Sequence, residues 1–75
     1  MSRIQKAVND LATTRNATFE TKKTEALIDL YDDGSGFNPI RISIDSYWFG
    51  AADLRQAAKL FKKLAEQLEA EGRAE

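Results

Sequence analysis

The 75-residue chain contains no cysteine and no histidine. Without cysteine there is no disulfide to reinforce a small domain, and without either residue the usual zinc-ligand sets are missing. The commonest general base and the most reactive nucleophile are missing with them. No apolar run approaches the roughly 20 residues needed to span a bilayer. The first twelve residues have no hydrophobic signal core, so the cytoplasm is the expected compartment. There is no internal repeat, low-complexity tract or long linker. Charge of one sign is not in excess either: eleven basic residues face twelve acidic ones. The chain therefore lacks the global charge of a typical nucleic-acid binder.

The length allows one domain with one small core. At this size only about sixty per cent of the unfolded surface can be buried, so stability is marginal. Stabilisation must come from packing, and a homodimer would add buried surface that one chain cannot supply. The charge is uneven along the chain. The first third carries five basic and three acidic groups, the middle third one and four, and the last third five of each.

Residues 51–70 carry the strongest periodic signal. Leu54, Ala57, Ala58, Phe61, Leu64, Ala65 and Leu68 recur at intervals of three and four, which predicts an amphipathic helix. Gly50 serves as its N-cap, and Asp53 sits in the first turn where the helix dipole favours an anion. The chain from 71 to 75 is expected to fray.

Residues 2–13 read as a short helix. Ser2 and Gln5 have the spacing of a capping box, and Ile4, Ala7, Val8 and Leu11 form a narrow apolar stripe. Two readings stand for the next segment: a strand over 17–21 with Phe19 facing in, or a helix from about 18 to 31. The threonines at 18, 21 and 24 favour the strand. Residues 25–31 read as a second strand. Asp32-Asp33-Gly34-Ser35-Gly36 is a turn signal. A last strand is expected over 40–49, where Ile40, Ile42 and Ile44 alternate with Arg41, Ser43 and Asp45. The three isoleucines offer the natural seat for the long helix, and Asp29 and Arg41 are candidate cross-strand neighbours. The fold expected is α+β: a short N-terminal helix, a two- or three-stranded antiparallel sheet, and a long C-terminal amphipathic helix on one sheet face, all in a single domain over 1–75.

Each chemical motif has an ordinary structural reading. Asp29, Asp32, Asp33 and Asp45 are carboxylates that a pocket could pair, but a helix on a small sheet leaves little volume for a pocket. No enzyme and no cofactor are expected. The Asp32–Gly36 segment lacks the closing glutamate of a calcium loop and the GxxxxGK[ST] spacing of a phosphate loop, so no metal site is expected. The four aspartates instead form a candidate acidic surface for a basic partner. Arg55, Lys59, Lys62 and Lys63 line one side of the long helix and are candidate phosphate contacts. They would make a nucleic-acid surface if they met Arg3, Lys6, Arg15, Lys22 and Lys23 in space. Glu66 and Glu69 on the same side argue against it. The long helix has an alanine-rich apolar face and a polar face of mixed sign, so no membrane contact is expected.

Protein interaction is the leading reading. Tyr47-Trp48-Phe49, with Phe37 nearby, exceeds what a small core needs, and such aromatics are common interface anchors. Three consecutive aromatics on an extended strand cannot all point into one core. Leu60 and Leu64 join them as interface candidates, and the spacing of Leu54, Ala57, Phe61, Leu64 and Leu68 suits pairing with a second helix. Partners expected are a second copy, a heterologous protein, or both.

Residues 27–70 resemble a recurring bacterial and phage arrangement. It has a hairpin with a glycine-rich turn, a strand ending in an aromatic, and an alanine- and leucine-rich helix with an acidic first turn. A compact, slightly acidic, cysteine-free chain of this size also resembles phage-encoded inhibitors of host defence, including anti-CRISPR proteins. That resemblance implies an inhibitor that occupies a surface of a larger host complex, and it transfers no residue role.

Overall fold

The computed structural model describes residues 2–21, 27–44 and 48–73. In chain order these are helix α1 (Arg3–Thr14), strand β1 (Asn16–Glu20), strand β2 (Leu27–Asp32), strand β3 (Ile40–Ile44) and helix α2 (Ala51–Ala70). The strands form an antiparallel meander in the order β1-β2-β3, so β3 is an edge of the sheet. The domain is α+β, with both helices on one sheet face.

α1 begins where the capping spacing places it. The Ser2 hydroxyl accepts the Gln5 N–H at 3.0 Å. The reciprocal half of the box is absent, because the Gln5 side chain donates to Asn9 instead. Ala7, Val8 and Leu11 are buried and Ile4 packs at the margin of the core. The helix ends at Arg15, whose φ of 65° reverses the chain while its N–H still reaches Leu11 O. The chain then enters β1 directly, so the segment after α1 is strand and not helix.

The register places Phe19 opposite Ile28 and Ala17 opposite Leu30, with Ile44 and Ile42 on the far side of those two. Directly paired residues share a face. Phe19, Ile28 and Leu30 therefore belong to the helix-bearing face, and so do the three isoleucines of β3. Ile28 and Leu60 are fully buried at the centre of the core. Burying each is worth about 1.5–3 kcal/mol. Asp29 faces Ser43, and Arg41 faces Tyr31. The expected Asp29–Arg41 pairing is thus a diagonal one, and Asp29 accepts the Thr18 hydroxyl at 3.0 Å.

α2 starts at Gly50, whose N–H donates to the Asp53 carboxylate at 2.9 Å. Asp53 is a buried charge that secures the helix entrance, beyond the dipole role expected of it. α2 shares the helix-bearing face with α1. Its Leu60 and Leu64 join Ile28 and Leu30 in the core, while α1 lies on β1 and β2 and beside α2. The isoleucines of β3 are covered only in part: Ile42 and Ile44 are 44% exposed, and Ile40 packs against the core.

Candidate functional site

The sequence-derived interface candidates divide sharply. Trp48 is 83% exposed and Phe37 is 67% exposed. Phe49, next to Trp48, packs against the core. The two adjacent rings thus take opposite roles. Tyr47 lies outside the described residues. Leu60 and Leu64 are core residues, shielded by α1 and the sheet, and are not available to a partner. Ala57 is buried with them, so the helix-pairing seam read from the 3-4 spacing is split, with Ala57 and Leu64 inside the fold and Leu54 and Phe61 exposed.

α2 nonetheless shows an open apolar flank. Leu54, Ala58, Phe61 and Ala65 are exposed and follow one another at four-three-four spacing along one side of the helix. The next residue in that row, Leu68, lines crevices with Ile40 and with Asn38 and Pro39, at the start of β3. The row therefore runs along the β3 side of α2. Ile42 and Ile44 point to the same helix-bearing face at the sheet edge. Together these residues form an apolar surface on one side of the molecule, with Trp48 in the connection between β3 and α2.

The four aspartates do not form one acidic patch. Asp32 is buried beneath the C-terminal end of α2. Its carboxylate accepts from the Arg73 guanidinium at 3.0 Å and from the Gly34 N–H at 2.8 Å. The Arg73 hydrogen bonds hold the Asp32 carboxyl below the usual carboxylate range, against the opposing effect of burial. Arg73 also donates to Ser35 O and to Glu71, each at 2.9 Å. Residue 73, expected to fray, is instead a tie between the end of α2 and the β2–β3 loop. Asp33 is exposed and caps the loop by accepting the Ser35 N–H at 2.7 Å, which lowers its pKa. Asp29 is half-buried on the outer sheet face, and Asp45 lies outside the described residues.

Arg55, Lys59, Lys62 and Lys63 are all exposed on the outward side of α2. The N-terminal cations are elsewhere. Arg3 and Lys6 line a cleft between α1 and β1 that also holds Asp10 and Glu20, and Lys6 pairs with Asp10 at 2.9 Å. Arg15 lies against Gly34. Lys22 and Lys23 lie outside the described residues. The described cations are thus spread over separate faces. Among the described residues no cluster of acidic side chains has the grouping of a metal site. No described helix is long and apolar enough to cross a membrane.

No family model, curated protein or solved structure matches this chain.

The surface residues that the sequence reading misses are Ile42 and Ile44, while Leu54 and Phe61 are already in its helix-pairing row. A signal was present. In a three-strand meander the last strand is an edge, so its apolar residues are the least covered. The Asp32–Arg73 tie had no signal, since it joins residues 41 apart through a loop geometry that no local pattern encodes.

Proposed function

We propose that the protein is a non-enzymatic protein–protein interaction module. The observation that carries this reading is the exposed aromatic pair, Trp48 at 83% and Phe37 at 67%, in a chain too small to leave large rings in water without consequence. The apolar flank of α2 supports it. Within this class, small size, slight acidity and absence of cysteine support a phage-encoded inhibitor that occupies a surface of a host defence complex. The compartment consistent with that role is the cytoplasm.

The test is affinity capture from a bacterial lysate, with and without nuclease, comparing the native chain with Trp48→Ala. The expected result is a stoichiometric protein partner that survives nuclease and is lost with Trp48→Ala, while the circular dichroism spectrum is unchanged. Trp48→Ala that unfolds the domain, or that captures the partner as well as the native chain, would remove Trp48 as the anchor. Two other readings have one observation each. The exposed Arg55, Lys59, Lys62 and Lys63 support nucleic-acid binding, which predicts capture lost on nuclease treatment and weakened by salt. The exposed Leu54 and Phe61 support a homodimer, which predicts twice the chain mass by light scattering.

A further inference from the structure

The interaction reading above names a class of partner but no mode of binding, and the backbone at β3 supplies one. In an antiparallel ladder each residue of a strand turns both its N–H and its C=O to one side, alternating along the chain. Asp33 N–H donates to Pro39 O at 3.0 Å, which makes Asp33–Pro39 a hydrogen-bonded pair. The pairs Tyr31–Arg41 and Asp29–Ser43 follow at steps of two and are bonded likewise. On the other side of β2, Asp32 N–H donates to Arg15 O at 3.0 Å, consistent with the same alternation. Arg41 and Ser43 therefore bond inward to β2. The N–H and C=O groups of Ile40, Ile42 and Ile44 point outward from the sheet edge.

The space beside that edge has an apolar neighbour. α1 lies on β1 and β2 with α2 beside it, and Leu64 and Leu68 of α2 line a crevice with Ile40, the first residue of β3. The exposed apolar flank of α2 is Leu54, Ala58, Phe61 and Ala65. Outward-pointing backbone groups, half-exposed isoleucines and this flank together describe a slot for one added strand.

The geometry points to an extended segment of a partner protein as the occupant of this slot, added antiparallel to β3 as a fourth strand. Its chemistry follows from the register. Residues opposite Ile40, Ile42 and Ile44 face α2 and are apolar. The residue opposite Arg41 faces away from the helices, where an acidic side chain complements the guanidinium. A second copy of this chain joined edge to edge at β3 is the competing occupant, and slow exchange at Ile42 in a free protein of dimeric mass is its signature. Such strand addition is an established mode of peptide recognition.

The experiment uses the whole chain, labelled with nitrogen-15, and a seven-residue peptide alternating valine and threonine with one central glutamate. In the free protein the amides of Arg41 and Ser43 are expected to exchange slowly and those of Ile42 and Ile44 quickly. Peptide at ten times its Kd should slow Ile42 and Ile44 about tenfold. The same peptide, N-methylated at alternate residues on its bonding edge, should not protect them. The Phe61→Glu chain, if folded by circular dichroism, should lose the protection too. Protection by the methylated peptide, or none from either peptide at millimolar concentration, would overturn strand addition. So would slow exchange at Ile42 in a free protein of dimeric mass. Any of these, with Trp48-dependent capture intact, would leave the interaction reading standing on Trp48 alone.

Discussion

Gly34 sits with φ at +82° in the β2–β3 loop, and a side chain there would run into the Arg15 guanidinium. Gly34→Ala is expected to cost about 1–2 kcal/mol for the left-handed backbone alone. For a domain of this size that lowers Tm by roughly 5–15 °C, measurable by thermal melt. Asp32 makes a second prediction at this scale. Its carboxyl titrates below its ordinary value because Arg73 bonds it, and Asp33 and Glu71 are lowered too. A group with a depressed folded pKa contributes stability that is complete above its unfolded pKa and is lost as pH falls through the folded one. Urea midpoints are therefore expected to hold steady above about pH 5 and to fall below about pH 4. Arg73→Ala should flatten that acid limb by lowering the neutral plateau. A midpoint indifferent to pH between 5 and 2 would contradict the Asp32 contact. None of this could be read from the sequence, where Asp32 and Asp33 looked alike. Only the fold makes one a buried partner of Arg73 and the other a loop cap.

At the scale of elements, local patterns were good guides to identity and poor guides to exposure. The Ser2 cap, the Ala7-Val8-Leu11 stripe, the threonine-rich strand and the Gly50–Asp53 helix entrance are all encoded within a few residues of themselves. Those are short-range effects, and they survive in the structure. Ser2→Ala should remove the bond to Gln5 N–H and cost about 1 kcal/mol, detectable as reduced protection of the first turn of α1 in amide exchange. The isoleucines of β3 show the opposite case. Their alternation correctly marks a strand, described over Ile40–Ile44; residues 45–47 of the expected 40–49 lie outside the described residues, and Trp48 and Phe49 are not in strand. Which of them is covered depends on where two helices divide one sheet face, and that is a long-range outcome. The same applies to α2, whose wide apolar sector marks both a buried arc and an open flank. Periodicity gives the direction of a side chain and not the neighbour it meets.

At the scale of the whole molecule, burial sorts the hydrophobic residues into two groups with different expected responses. Leu60 is at the centre of the core. Leu60→Ala is expected to cost about 2–5 kcal/mol and, in a domain of marginal stability, to leave a large unfolded fraction at 37 °C. Near-native unfolding of that variant in urea would mean that the core closes without it. Trp48, by contrast, should be replaceable with little effect on Tm while abolishing partner capture. The contrast between the two separates folding from recognition, a division the sequence blurred by listing Leu60 and Leu64 beside Trp48.

The edge of β3, uncovered among the described residues, also bears on how the protein behaves in bulk. Many proteins guard a sheet edge with a bulge, an inward charge or a proline within the strand. Here Pro39 stands just ahead of β3, and Arg41 faces the outer side, so neither interrupts the row of outward amides from Ile40 to Ile44. A concentrated stock carries an open template for cross-strand growth. Its usable concentration and shelf life are then expected to depend on that edge as well as on the thermal stability of the fold. If strand addition holds, co-expression with a strand-forming peptide becomes the natural route to a well-behaved sample.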